Sequence, residues 1–458
     1  MAAEATRYWA PAAWVNGAWA QDVLLAVGAH GRWAEIIPGA APEVRQGARP
    51  LSGPVLPGLV NGHSHAFQRA IAGLTERSAS GEDDFWRWRD RMYSAANRVS
   101  PQQLEAIAAF LYSELLRAGY TQVCEFHYLH NGLDGKPYAD PQEMSMALVR
   151  AAQRSGIGLT LLPTLYMRSG FAAKGLREDQ RRFASTPESV LRIAQSVAHE
   201  AGDDGFVTAG VALHSLRAVD EASIHEVAQA AAGMPIHIHI AEQQLEVDDC
   251  IARHGRRPIE WLLDKIPLDS RWNLVHATQT TPQELEGLRG KRASIVLCPS
   301  TEANLGDGVF DLPGWAGQSG SWSIGSDSHA TRSWQEELRL LEYSQRLTLK
   351  QRNVVARAAL CESSAAALFQ GALEGGTAAA GAPLGGLAVG QRADFMVVDM
   401  DSPALVGVPA DHLLDALVFS SPEARFTEVY VAGRERRPAG TGAQLADEMR
   451  RAMRELWS

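Results

Sequence analysis

Short apolar runs alternate with helical patterns through the middle of the chain, and this alternation restricts the fold more than any other feature. Candidate strands lie near 55–61, 121–127, 157–165, 206–213, 235–241, 271–276, 293–299 and 322–326. Segments with apolar residues at helical spacing separate most of them, at 101–118, 141–154, 187–200, 221–232 and 282–289. Pro101 stands at a first helical position, where a missing N–H does no harm. Eight strands with helical crossovers predict an α/β fold, a (β/α)8 TIM-type barrel ringed by helices. A doubly wound open sheet is the rival. No Gly-x-Gly-x-x-Gly follows a strand, however, so a dinucleotide site has no footing. Residues 303–320, rich in glycine, read as a long loop before the last strand and a candidate wall of the site.

The two chain ends have a different texture. Trp14-Val15-Asn16-Gly17-Ala18-Trp19 carries the Asn-Gly signal of a tight hairpin, and Asp22–Val27 follows as a second strand. Similar runs return at Gly386–Gly390, Ala393–Asp399 and Val429–Gly433. Residues 1–54 and 375–440 are therefore expected to form a small β-sandwich-like domain built from both ends. The barrel then spans 55–374, and 441–458 reads as a terminal helix. A chain of 458 residues, 46% hydrophobic and 21% charged, can bury cores of that size. A formal charge of −10 argues against a nucleic-acid partner. No apolar run is long enough to cross a bilayer, and no secretory leader is expected from the first residues. Cys124, Cys250, Cys298 and Cys361 make no Cys-x-x-Cys pair, and three lie in apolar surroundings. Reduced thiols in a cytoplasmic protein fit that usage.

In such barrels chemistry sits at the C-terminal strand ends. The first strand runs into Asn61-Gly62-His63-Ser64-His65. Residues two apart on an extended chain point the same way, so both imidazoles can face one point. The fifth reads Pro235-Ile236-His237-Ile238-His239-Ile240-Ala241-Glu242, the sixth ends at His276, and the eighth at Ser326-Asp327-Ser328-His329. Taken singly, each has an ordinary explanation, such as a buried histidine bonded to a carbonyl or a capping aspartate. Recurrence at four strand ends predicts a metal centre.

This constellation resembles the amidohydrolase superfamily, in which the first strand supplies His-x-His, the fifth and sixth a histidine each, and the eighth an aspartate. Binuclear members usually bridge two ions with a carboxylated lysine or a glutamate on an early strand. Of the five lysines here (Lys136, Lys174, Lys265, Lys291 and Lys350), none lies in a proposed strand. The resemblance thus implies one ion held by His63, His65, His239 and Asp327. Zinc is expected, since it lowers the pKa of bound water and has no redox chemistry; iron would take the same ligands. His239 is preferred to His237 because it lies nearer the strand end and begins His-x-x-Glu with Glu242, as in single-metal deaminases of this superfamily. His237 is expected to brace the interior. The groups then suit hydrolysis: Asp327 takes a proton from the attacking water, Glu242 carries one to the departing nitrogen, and His276 hydrogen-bonds to the reacting centre.

Deaminases of purines and pyrimidines share this ligand set, so other residues must select the substrate. Gln68 and Arg69 follow the first ligands, and Phe85-Trp86-Arg87-Trp88-Arg89-Asp90-Arg91 reads as an irregular loop. Tyr128 ends the second strand, and His214-Ser215-Leu216-Arg217 the fourth. Such cationic and hydroxyl donors suit carboxylates better than a nucleobase. A solvated helical face is the plain alternative for Arg87, Arg89 and Arg91. Asn61–Arg69, Phe85-Trp86-x-Trp88-Arg89, His127-Tyr128 and His214–Arg217 resemble the formimidoylglutamate deiminase family of histidine degradation. That family hydrolyses N-formimidoyl-L-glutamate to N-formyl-L-glutamate and ammonia. The resemblance implies a small dicarboxylate substrate bound by Gln68, Arg89, Tyr128, His214 and Arg217. Arg89 would grip one carboxylate and Arg217, helped by His214, the other. A homodimer is expected too. The alternatives are a purine or pyrimidine deaminase on the same barrel, and a non-catalytic zinc-binding scaffold.

Overall fold

Parallel strands β1 (Leu59–Ser64), β2 (Tyr120–His127), β3 (Gly158–Leu165), β4 (Val211–Ser215), β5 (Ile236–Ile240), β6 (Trp272–His276), β7 (Ser294–Leu297) and β8 (Trp322–Ile324) pair in chain order. A parallel bridge between Ser64 and Asp327 draws the last strand end against the first, giving a nearly closed barrel. This computed structural model describes residues 5–77, 85–200, 205–421, 424–436 and 442–458, the side chains of 85–87 and 200 excepted. Every residue of β2 and β3 is buried, as expected of strands covered on both faces. Helices fill the crossovers, among them Pro101–Arg117, which starts at the expected proline. Ser100 caps it, accepting the Gln103 N–H at 3.2 Å.

Helix Ser364–Ala380 closes the lower end of the barrel. Carbonyls in the last turn of a helix lack intrahelical donors, and here the barrel interior supplies them. Asn273 donates to Ala378 O (3.3 Å), His237 to Ala379 O (2.8 Å) and Thr160 to Ala380 O (3.2 Å). His237 therefore braces this plug, well below the strand ends.

The second sheet takes strands from both chain ends. Its order is Arg434–Glu435, Phe426–Val431, Phe395–Val398, Val55–Pro57, Thr6–Val15, Ala18–Val27 and Trp33–Ile37, with Arg49–Pro50 beside Thr6–Val15. The Asn16-Gly17 turn makes the expected hairpin, with φ of 51° and 80° and Val15 paired to Ala18. The sheet curls around its own core of Tyr8, Trp33, Phe395 and Tyr430, the last two stacked at 4.1 Å.

Three local expectations are corrected. The run 55–61, read as one strand, is two: Val55–Pro57 pairs with Phe395–Val397 in the terminal sheet, and the barrel begins at Leu59. Gly58 N–H donates to Asp394 O of one sheet and Leu59 N–H to Gly119 O beside the other, so the chain changes sheets at this point. The Trp/Arg-dense segment is not an irregular loop but the start of helix Phe85–Ala96. The side chains of Phe85, Trp86 and Arg87 lie outside the described residues. Residues 303–320 are partly helical, taking in the end of Pro299–Leu305 and all of Leu312–Ala316. Prolines in both first turns, and Asp311 accepting the Gly314 N–H (3.0 Å), outweigh the glycines there. Among the described residues no helix is long and apolar enough to cross a membrane.

Closure of the barrel depends on residues without side chains. A Cβ on Gly325 would lie 2.6 Å from His63 Cβ and 2.7 Å from its N, and one on Gly62 would lie 2.7 Å from Ser323 Oγ. Across the same seam Asp327 N–H donates to His63 O (3.0 Å), and Asn61 both donates to Ser326 Oγ (2.7 Å) and accepts from its N–H (2.8 Å). Gly325→Ala should therefore overpack the seam and destabilise the fold by about 1–3 kcal/mol. A urea midpoint equal to that of the wild type would show that the seam has room for a methyl group.

Candidate active site

Three imidazoles converge where β1 and β5 end. His63 Nε2 lies 3.1 Å from His65 Nε2 and 3.0 Å from His239 Nε2. His65 Nδ1 donates to Phe126 O (2.8 Å) and His239 Nδ1 to His214 O (3.0 Å). Those bonds place the proton on Nδ1 and leave each Nε2 with a lone pair turned inward. Burial pushes the pKa of all three down, and neighbouring imidazoles add to the fall at His63 and His239. Asp327 Oδ1 stands 3.5 Å from both His63 Nε2 and His65 Nε2.

This donor set fits a divalent cation. Tetrahedral N/O ligands at about 2.0–2.1 Å from an ion sit about 3.3–3.4 Å from one another. The four separations that involve His63 or join His65 to Asp327, 3.0 to 3.5 Å, straddle that value. With the protons of His65 and His239 held on Nδ1, their Nε2 lone pairs are free to bind a cation beside His63.

A cluster of titratable side chains adjoins the three imidazoles. His276 Nε2 is 3.7 Å from Asp327 Oδ2 and 3.8 Å from Glu242 Oε1, while its Nδ1 donates to Glu302 Oε1 (3.3 Å). Burial opposes charge on His276, yet Glu242, Glu302 and Asp327 together hold its pKa up at about 10. Burial raises the Glu242 carboxyl, with His276 opposing the rise and Asp327 adding to it. Ala241, His276 and Asp327 have φ of 50°, 70° and 44°. Left-handed residues without a glycine store strain, which here turns the strand ends toward a common point.

All five residues expected to bind substrate line one cavity with His65, His239, Glu242, His276 and Asp327; His63 lies buried beneath. Gln68 donates to Tyr128 OH (3.2 Å), and Arg89 Nε donates to Tyr93 OH (2.5 Å). Burial opposes the charge on Arg217, but Glu246 and Glu242 hold it cationic, and its buried Nε has no hydrogen-bond partner among the described residues. Arg168 fixes this turn by donating to the carbonyls of Arg217 (3.0 Å), Leu216 (3.0 Å) and Val219 (2.9 Å). Met92 and Tyr93 on helix Phe85–Ala96, Tyr166 just beyond β3 and Phe183 also line the walls, and they carried no common sequence signal.

Sequence reasoning also missed Glu125. Its Oε1 accepts from Ala66 N–H (2.6 Å), and its Oε2 from Ser64 Oγ (2.7 Å) and Tyr112 OH (3.0 Å). It thus grips both neighbours of His65. A carboxylate at an inward position of a buried strand was the available signal.

Residues 55–436 match the amidohydrolase family. The chain belongs to it. This amidohydrolase is 47% identical, over 91% of each chain, to a formimidoylglutamate deiminase from Pseudomonas aeruginosa. A crystal structure of an amidohydrolase from Brucella melitensis superposes with a TM-score of 0.91 at 40% identity, covering 99% of this chain and 100% of the other. An adenosine deaminase from Xanthomonas campestris, solved with bound zinc, shares the fold (TM-score 0.80, 21% identity, 98% of both chains).

Because Glu125 holds both neighbours of the candidate ligand His65, Glu125→Ala should weaken metal binding by about 10–100-fold. Competition against a chelator measures this, and an unchanged affinity would remove Glu125 from the account.

Proposed function

We propose that this amidohydrolase hydrolyses N-formimidoyl-L-glutamate to N-formyl-L-glutamate and ammonia, a step of histidine degradation, using one zinc ion per chain. The observation that carries this reading is the presence of Arg89 and Arg217 in the same cavity as the imidazole trio, Glu242 and Asp327. The substrate has a cationic formimidoyl end and two carboxylates, and the cavity opposes each with the other sign. The 47% identity to a formimidoylglutamate deiminase supports the same choice. A nucleobase brings no carboxylate to the two guanidinium groups on the wall, and a scaffold would not need Glu242 and His276 beside open space. Buried free thiols at Cys124, Cys250 and Cys298 support a cytoplasmic setting.

His63, His65, His239 and Asp327 would hold the ion, which when bound supplies a Lewis acid that lowers the pKa of water to about 7. Asp327 Oδ2, turned to His276, receives the proton that the attacking water gives up. Glu242 delivers a proton to the nitrogen that leaves as ammonia. His276, cationic between its carboxylates, donates from Nε2 to the oxygen of the tetrahedral centre. Arg89 grips one carboxylate and Arg217 with His214 the other, while Gln68 and Tyr128 orient the chain between them.

Ammonia release from N-formimidoyl-L-glutamate, measured beside guanine, cytosine and adenosine, tests the assignment; turnover confined to a nucleobase would overturn it. Glu242→Gln should keep its zinc and lose about 10²–10⁴-fold in kcat. A variant that turned over like the wild type would refute the acid–base role. Arg89→Met and Arg217→Met should each raise KM about 30-fold or more at unchanged zinc content. If KM stays put in both, the carboxylate clamp is wrong.

A further inference from the structure

We propose that Asp307 is a positioning residue that locks the turn carrying Glu242 in its working geometry. Asp307 follows helix Pro299–Leu305 and is only 6% exposed, behind the cavity wall rather than on it. Its Oδ1 accepts from the side-chain amide of Gln243, the residue next to Glu242. Its carbonyl accepts from Gln279 Nε2 (2.5 Å), and the same nitrogen donates to Glu242 O (3.2 Å). Gln279 N–H donates in turn to Ala241 O (2.9 Å). Residues from beyond β6 and β7 thus tie down Ala241, Glu242 and Gln243 in succession. The turn needs such ties, because Ala241 sits at φ 50° and would relax toward ordinary backbone if released.

The carboxyl of Asp307 also bears on Glu242 directly. Ligand atoms of Asp307, Glu242 and His276 all lie within 4.8 Å of one another, and Asp307 Oδ2 is buried with no hydrogen-bond partner among the described residues. Glu302 and Asp327 add negative charge from two further elements, His276 opposes them, and Arg217 and Glu246 face Glu242 from the remaining sides. Burial, then Glu242, lifts the Asp307 pKa to about 9, so at neutral pH its carboxyl is uncharged. A neutral Asp307 holds the turn without adding a charge that would disturb the proton on Glu242.

This inference rests on the activity proposed above, and the wild type tests that activity first. A zinc-loaded wild-type chain inert toward N-formimidoyl-L-glutamate overturns both; an active one leaves Asp307 to be judged alone. In the full-length zinc-loaded enzyme, Asp307→Ala should lose about 10–100-fold in kcat with KM and bound zinc unchanged. Asp307→Asn is neutral and still accepts from Gln243, so it should recover most of that loss. Gln243→Ala should reproduce the defect, and the double variant Asp307→Ala/Gln243→Ala should be no worse than the worse single one. Should Asp307→Ala not fold, Asp307→Asn and Gln243→Ala carry the test. Wild-type kcat in Asp307→Ala or in Gln243→Ala overturns the proposal. So does zinc loss that tracks the loss of activity, or an Asn variant no better than Ala.

Discussion

The Nε2 atoms of His65 and His239 stand 3.1 and 3.0 Å from that of His63, and a cation among them would take a lone pair from each ring. Burial disfavours protonating any of the three rings. The site is thus built to be completed by a cation, and much of the barrel serves to keep the three rings from moving apart. Gly325 and Gly62 let β8 approach β1. Asn61 and Ser326 then bond across the seam, and Phe126 O and His214 O fix the orientation of His65 and His239. Loosening any of these supports would let the rings move apart.

Around that centre the charges are sorted by sign. Glu242, Asp327 and Glu302 surround His276 on the floor, and the guanidinium groups of Arg89 and Arg217 stand on the wall. Net charge does not describe this field, since a chain of −10 can still present a cationic wall inside one cavity. For a substrate positive at its reacting end and negative at the other two, the arrangement orients as well as binds.

The barrel was legible because its strands are short, fully buried apolar runs set apart by capped helices, as with Ser100 and Pro101. The candidate site was legible because barrels place titratable side chains at strand ends, where His63, His65, His239, His276 and Asp327 stood out against apolar neighbours. The cavity-lining arginines could be named, but not the form of their backbone: spacing by two suggested a loop, whereas Arg89 sits on helix Phe85–Ala96. Glu125, Glu302 and Asp307 stayed hidden for a common reason. Each acts through hydrogen bonds to residues distant in sequence or to backbone groups, and neither kind of contact leaves a spacing to read. The junction at Gly58 was missed because an apolar run does not reveal which of two sheets will pair with it.

The most direct test of the central claim is anomalous diffraction at the zinc edge from crystals of the protein grown with zinc. A single peak about 2.0–2.3 Å from nitrogens of His63, His65 and His239 and an oxygen of Asp327 is the predicted result. Density elsewhere, or a peak that leaves one of those four side chains unbound, would contradict it.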